Sequence, residues 1–142
     1  MKIFPMEWCV LMIYKNEIQS SFKAVDVCVR DVLLLMEDHP ELSDESLLFK
    51  ISFVLRELMN NSVEHGNNFD IHKHITCEIY YEAPLLRIEI SDEGSGFVKS
   101  DGYYKALGND KRERRRGLKL IEDLNFNIEM EKSTIRLNLD IS

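Results

Sequence analysis

The spacing of apolar residues changes at Gly66, and this change constrains the fold more than any other feature of the chain. Before Gly66, apolar residues recur every three or four positions, which is typical of helices that bury one face. After it, they alternate with polar residues, which is typical of half-buried strands. The sequence therefore predicts an α+β fold, a two-layer sandwich with helices packed on one face of a sheet.

A short strand and a first helix are predicted at the start of the chain. The strand runs from Val10 to Tyr14, and Ser20 or Ser21 can then cap the helix. The helix ends at His39-Pro40, because the residue before a proline is disfavoured in the helical region. Its predicted apolar stripe contains Phe22, Val25, Val29, Val32 or Leu33, and Met36.

A second helix is predicted to end at Gly66. Ser43 or Asp44 offers its N-terminal cap, and the glycine breaks the helical spacing. Its predicted buried stripe contains Leu47, Ile51, Val54, Leu58 and Ser62.

The remaining half of the chain predicts four strands and one more helix. Residues 100–116 have no clean apolar period and are predicted to form a long loop, perhaps with a short helix, before helical spacing resumes from Gly117 to Leu124. This order predicts a mixed, mainly antiparallel sheet whose second face is partly polar. The strands are predicted at Ile75 to Tyr81, Leu86 to Ile90, Phe126 to Met130, and Ile135 to Ile141.

The size and composition exclude several classes of protein. With 142 residues, the chain is predicted to be a single domain, residues 1–142, with a core from 9 to 141. A net charge of -7 argues against direct nucleic-acid binding, which needs an excess of Lys and Arg. The apolar run from Trp8 to Tyr14 is too short to cross a membrane. Cys9, Cys28 and Cys77 read as reduced, buried thiols of a cytoplasmic protein.

Glu57 and Asn61 lie one turn apart on the second predicted helix. Both side chains are offset from the buried stripe, so they are expected to face one opening beside the core. The carboxamide oxygen of Asn61 suits Mg²⁺, and Glu57 can deprotonate a hydroxyl near a phosphate. The alternative is a solvated helix face that ends in an Asn/Gly cap, and the two interpretations are about equally supported by this pair alone.

A second group of candidate residues follows the strand that ends near Ile90. Asp92 has the parity of the apolar row before it, so its carboxylate is expected to point inward, where an adenine amino group is a fitting partner. Gly94 and Gly96 leave room for a base or ribose, and Phe97 can close the wall. The alternative is an ordinary turn after a strand.

A basic segment leads into Gly117. Between Lys105 and Arg116, six basic residues accompany two acidic ones, a local net charge of +4 in an acidic chain. Such a segment fits a polyphosphate lid, with phosphates received by guanidinium groups and by free N–H groups where the next helix begins. A solvated basic patch that contacts an acidic partner is the alternative.

In the order of these motifs, the chain resembles the GHKL ATPase superfamily of gyrase, Hsp-type chaperones, histidine kinases and MutL. Residues 57–66 look like that family's N box, residues 92–97 its G1 box, and residues 115–120 a variant of its G2 box. The small size is most similar to the bacterial anti-sigma factor serine-protein kinases. In the G2 box, Arg115 stands where the family pattern has its first glycine.

The resemblance implies a role for each matching residue. Glu57 would be the catalytic base, Asn61 would hold Mg²⁺, and Asp92 would bind adenine, with an ATP lid over residues 98–116. Thr134 matches a threonine that such proteins place near the base. The other implied nucleotide-binding residues are His65, Gly94, Gly96, Phe97, Arg116, Gly117 and Leu118.

The resemblance also implies a function. It predicts a regulatory enzyme that binds ATP and Mg²⁺, sequesters a sigma factor, and phosphorylates a serine of a small anti-anti-sigma protein of the STAS type. Such regulators often form homodimers. The alternative is a non-catalytic module in which nucleotide sets the shape of a partner surface, and Arg115 favours it. The catalytic domain of a histidine kinase is disfavoured, since no long helix with a phospho-acceptor histidine precedes the boxes.

Overall fold

The computed structural model describes residues 10–95 and 108–142. The predicted order of strands and helices is confirmed. In chain order the elements are β1 (Leu11–Gln19), α1 (Phe22–Glu37), a 3₁₀ turn (Pro40–Leu42), α2 (Glu45–Asn61), a π-helical turn (Ser62–Gly66), β2 (His74–Glu82), β3 (Leu85–Ser91), α3 (Gly108–Asp123), β4 (Asn127–Glu131) and β5 (Thr134–Asp140).

The strands form one sheet in the order β1-β2-β3-β5-β4. Each pair of neighbouring strands is antiparallel, so the described part of the sheet is not mixed as the sequence predicted. Hairpins join β2 to β3 and β4 to β5, and short connections of this kind place strands antiparallel. The register sets Ile79 opposite Ile88 and Ile88 opposite Leu137, which aligns one apolar row across three strands.

Helices α1 and α2 cover the apolar face of the sheet. The predicted alternation of the strands is confirmed, and so is the stripe of α2. The stripe of α1 uses Val32, whereas Leu33 is only half-buried. The inclusion of Phe22 in that stripe is wrong, because this residue begins the helix and meets Phe69 edge to face, with ring centroids 6.2 Å apart. Phe22 remains 44% exposed.

Two side chains fix where α1 and α2 begin. Ser21 Oγ accepts a hydrogen bond from Ala24 N at 3.1 Å, and Asp44 Oδ2 accepts one from Leu47 N at 3.1 Å. Each satisfies a backbone donor that a helix N-terminus leaves unpaired. The structure therefore selects Ser21 over Ser20, and Asp44 over Ser43, as the caps.

Strand β1 is longer than the sequence predicts. It continues past Tyr14 to Gln19 and contains a register shift between Met12 and Tyr14. Beyond the shift, Lys15 and Glu17 face away from the helices. The apolar alternation is lost there because Asn16, which shares the face of Tyr14 and Ile18, is exposed in the cleft between β1 and α1.

Helix α3 begins at Gly108, so the prediction that residues 100–116 form a loop is wrong for residues 108–116. This stretch has no apolar stripe, but Lys, Arg and Glu have good intrinsic helix propensity. Residues 98–107 of the predicted lid lie outside the described residues. No helix in the described part of the chain is both long and apolar enough to cross a membrane.

The face of the sheet opposite the helices is polar, as the sequence predicts. Arg136 pairs with Glu89 and with Glu131, and Lys15 Nζ lies 3.5 Å from Glu78 Oε1. These pairs lie at or near the surface, so each contributes on the order of 0–1 kcal/mol. The charged side chains of the open face therefore remain hydrated and add little to the free energy of unfolding.

Cys28 of α1 and Cys77 of β2 are free and buried, as the sequence predicts, while Cys9 lies outside the described residues. A side-chain hydrogen bond with Cys28 and burial hold the pKa of Cys77 well above its usual value. Both effects favour the neutral thiol. The Cys77 thiol therefore serves as uncharged packing between α1 and the sheet.

Candidate functional site

The C-terminal turn of α2 carries Glu57 and Asn61 on one side. Both residues are half-buried, which agrees with an orientation offset from the fully buried stripe. Asn61 is the last α-helical residue, and its carboxamide has no hydrogen-bond partner among the described residues. The carboxamide is thus available to a ligand.

A π-helical turn at Ser62–Gly66 extends α2, and Gly66 lies next to Asp92 at the end of β3. A Cβ built on Gly66 would lie 2.8 Å from Asp92 Oδ1 and closer still to the rest of that carboxylate. A Cβ on Gly94 would lie 2.8 Å from the carbonyl carbon of Gly66. Glycine is required at position 94, where the contact is with backbone, while a side chain at position 66 would displace the Asp92 carboxylate. The sequence identified Gly66 as a helix end but not as a contact of Asp92.

Asp92 is held by backbone bonds on both sides. Its N–H donates to Ser133 O at 3.1 Å, and its Oδ1 accepts from Gly94 N at 2.9 Å. Its carboxylate lies against Gly66, on the helix side of the sheet, as the parity argument predicts. It is half-buried, because β3 ends at Ser91 and the carboxylate lies at the rim of the core.

Gly117 lies inside α3, so the prediction that it opens a helix is wrong. Within a helix, backbone N–H groups are bonded to carbonyls four residues earlier, and these groups therefore cannot receive phosphates as predicted. Instead, Gly117 is buried against Glu57, and a Cβ built on it would lie 2.9 Å from the Glu57 Cδ atom. The glycine allows α3 to pack directly on the Glu57 side chain.

The other predicted residues are less closely grouped. His65 lies in the π-helical turn with Nε2 3.5 Å from Glu64 Oε2. Leu118 packs against the core, and Arg116 is exposed one residue before Gly117. Gly96 and Phe97 lie outside the described residues.

Thr134 requires a correction. Its hydroxyl pairs with the Ser91 hydroxyl at 2.7 Å, and both residues alternate with the buried Ile90 and Ile135, so they lie on the open face. Asp92 lies on the helix side. Ser133, in the turn before β5, is bonded to Asp92 through its backbone carbonyl, which accepts from Asp92 N.

Asn67 and Glu93 are residues of the site that the sequence analysis missed. Asn67 follows Gly66, and its Oδ1 accepts a hydrogen bond from Glu93 N at 2.9 Å. The dipeptide Asn67-Asn68 resembles an ordinary polar turn, and no local pattern links it to a residue 26 positions later. Asn67 is buried, whereas Asn68 is exposed.

The profile of the histidine kinase-like ATPase domain family matches residues 20–139. The chain belongs to this family. The match extends from the start of α1 to the end of β5 and includes every described site residue. Family membership supports an ATP-binding domain with kinase-like chemistry.

The chain is similar to the histidine kinase domain of the blue-light activated histidine kinase of Erythrobacter litoralis EL346, with 12% identity and a TM-score of 0.46. The similarity covers 82% of this chain and 59% of that one. No curated protein sequence matches the chain.

Proposed function

We propose that this domain is an anti-sigma regulatory factor that binds ATP with Mg²⁺ and phosphorylates a serine of a small STAS-type anti-anti-sigma protein. The observation that carries the proposal is the meeting of three elements at the end of α2. Glu57 and Asn61 occupy its last turns, Gly66 packs on Asp92, and Gly117 brings α3 over Glu57. In this proposal Asp92 binds the nucleotide, Asn61 holds the cation and Glu57 is the base.

Asp92 is suited to an adenine amino group. Its Oδ1 accepts from Gly94 N, and none of the described residues donates to its Oδ2. Gly66 and Gly94 present no side chain beside this carboxylate. An ionised carboxylate with a vacant lone pair at the rim of an apolar core accepts an amino group while the ring is partly desolvated.

Asn61 and Glu57 fit the phosphate end of the nucleotide. The Asn61 carboxamide oxygen is a hard donor with no competing partner among the described residues, which fits Mg²⁺. The ion, when bound, neutralises phosphate charge and orients the terminal phosphoryl group. Glu57, one turn away, can accept the proton of an incoming serine hydroxyl.

The edge of the sheet supports the proposed partner binding. Strand β1 is at the edge, and it exposes Leu11 and Met12, while the adjacent α1 exposes Val27 and Leu34. A cleft of about 500 Å³ separates β1 from α1. An edge strand beside apolar side chains favours association with another chain. We assign this surface to a sigma factor or to a second copy of the domain, in the cytoplasm.

A phosphotransfer assay tests the kinase proposal. The purified protein is mixed with γ-labelled ATP, Mg²⁺ and a candidate STAS-type antagonist. We expect label on the wild-type antagonist, none on an antagonist whose acceptor serine is alanine, and none with the Glu57→Gln enzyme. Wild-type protein that binds ATP but labels no antagonist encoded beside it would refute the kinase proposal. Co-purification of a sigma factor tests the proposed sigma-factor binding.

A non-catalytic nucleotide-binding module is the second candidate. It is favoured by the packing of Gly117 over Glu57, which places a helix on the proposed base, and by Arg115 where the family pattern has glycine. In that case calorimetry shows ATP binding that Asp92→Asn abolishes, while no partner becomes labelled. A nucleotide would then control partner binding alone.

A further inference from the structure

Asn67 is the most completely bonded polar side chain at the site. It is 0% exposed, and its carboxamide makes three hydrogen bonds. Nδ2 donates to Ser20 Oγ at 3.0 Å and to the carbonyl oxygen of His74 at 3.1 Å. Oδ1 accepts from Glu93 N at 2.9 Å. One side chain thereby joins the residue before the α1 cap, the start of β2 and the loop after β3.

The bond to Glu93 acts directly on the proposed adenine site. Glu93 lies between Asp92 and Gly94, which bond to each other and pack on Gly66. The Glu93 carboxylate also accepts a hydrogen bond from His74 N. Asn67, Glu93 and His74 therefore form a closed ring of three hydrogen bonds beside Asp92, and this ring fixes the loop on the side opposite Ser133.

We propose that Asn67 is a positioning residue for the nucleotide, which holds Asp92 in place through Glu93 and links it to the start of α1 through Ser20. The inference rests on the proposed function, since it assigns Asp92 to adenine. It goes further in naming a residue outside the three motifs that sets nucleotide affinity. It also supplies a connection between the nucleotide and the β1–α1 surface.

Only a carboxamide of this length satisfies the three partners. Aspartate has the same shape but ionises, and its oxygens only accept, so one would face the His74 carbonyl without a hydrogen between them. A buried carbonyl and a buried carboxylate in contact repel each other. Asn67→Asp is therefore a near-isosteric test of the hydrogen bonds themselves.

The experiment compares Asn67→Asp with Asn68→Asp, an exposed neighbour that receives the same change in charge. Affinities for ADP in EDTA and for ATP with Mg²⁺ are measured by calorimetry at a temperature where circular dichroism shows each variant to be folded. We expect Asn67→Asp to weaken the binding of both nucleotides by about tenfold or more. Asn68→Asp should change neither affinity by more than about twofold. Asn61→Ala should weaken only ATP with Mg²⁺, since it touches the phosphate end.

Backbone amide exchange gives a readout that does not depend on nucleotide. In the wild type, the Glu93 amide should exchange at least about tenfold more slowly than an unprotected amide, and Ser20→Ala should reduce this protection. This measurement holds even if Asn67→Asp fails to fold. An unprotected Glu93 amide in the wild type overturns the proposal.

The failures are distinguishable. Folded Asn67→Asp with wild-type affinity for ADP overturns the positioning role while leaving the proposed function intact. Wild-type protein that binds neither ADP nor ATP refutes the proposed function, and the nucleotide part of this inference falls with it. A lower melting temperature for Asn67→Asp with unchanged ADP affinity shows that Asn67 supports only the fold, which also counts against the proposal.

Discussion

The two ends of the proposed site are built in different ways. At one end, which we call the clamp (Gly66, Asn67, Asp92, Glu93 and Gly94), short hydrogen bonds and glycine contacts join three segments. At the other, the helix cleft (Glu57, Asn61 and Gly117), α3 packs on α2 through a glycine. The clamp is therefore fixed by local bonds, whereas the geometry of the helix cleft depends on where one helix lies relative to another.

This difference assigns separate tasks to the two ends. Preformed hydrogen bonds need no rearrangement when a ligand arrives, so the clamp is suited to affinity. A contact between helices changes with small shifts of either helix, so the helix cleft is suited to control of phosphotransfer. Variants that separate affinity from transfer rate test this division.

The largest expected effect is that of Glu57→Gln in the helix cleft. Phosphotransfer should fall at least about 100-fold, because the base is lost, while ADP affinity should change by less than about threefold, because the clamp is intact. Label transfer and calorimetry measure the two quantities. Glu45→Gln, at the exposed start of α2, is the control. Equal transfer by the wild type and Glu57→Gln would favour the non-catalytic module.

Alanine in place of one glycine at each end should lower the free energy of unfolding more in the clamp than in the helix cleft. In Gly94→Ala the new Cβ meets the backbone of Gly66, which cannot rotate away, so we expect a loss of about 1–3 kcal/mol in the free energy of unfolding. In Gly117→Ala the Cβ meets the Glu57 side chain, which can rotate, and alanine favours the helix by about 1 kcal/mol. Urea unfolding should therefore show little change for Gly117→Ala. A larger loss for Gly117→Ala than for Gly94→Ala would show that the cleft is the more rigid end.

Asp44, the N-terminal cap of α2, lies outside both ends of the site, and its loss should affect stability alone. Asp44→Ala removes the acceptor for Leu47 N and should cost about 1 kcal/mol in unfolding free energy, with ADP affinity unchanged. Ser43→Ala is the control, since the Ser43 hydroxyl donates to Pro40 O at an exposed position and does not cap α2. A drop in ADP affinity for Asp44→Ala would mean that the start of α2 is coupled to the clamp.

The smallest expected effect distinguishes two neighbouring hydroxyls. The Ser133 carbonyl accepts from Asp92 N, so we propose that the Ser133 hydroxyl lies near the base and expect Ser133→Ala to weaken ADP binding by about threefold. Thr134→Val removes the bond to Ser91 on the open face and should leave ADP affinity unchanged. Calorimetry of the two variants decides the matter. Weaker ADP binding by Thr134→Val but not by Ser133→Ala would show that Thr134, and not Ser133, contributes to nucleotide binding.

Much of the fold could be predicted because burial imposes a period on the sequence. The alternation from Ile75 to Tyr81 and the spacing from Leu47 to Ser62 follow directly from one buried face. The same parity placed Asp92 on the helix side. The parity of Ile135 likewise predicts that Thr134 lies on the open face, on the other side of the sheet from Asp92.

The rest could not be predicted because its cause is not local. Residues 108–116 are helical but have no helical spacing of apolar residues, so the sequence pattern does not predict this part of the helix. Gly66 meets Asp92, and Asn67 meets Glu93, across 26 residues of chain. These pairs are visible only once β2 and β3 have folded back on the end of α2.

Helix α3 has one more consequence, which concerns charge. Five basic residues occupy positions 111 to 116, which the helical backbone places within about 8 Å along the axis of α3 at about 1.5 Å per residue. A loop would let each guanidinium settle on a phosphate independently. On a helix, the backbone positions of all five residues keep fixed spacings, so any displacement of α3 would move the five positions together.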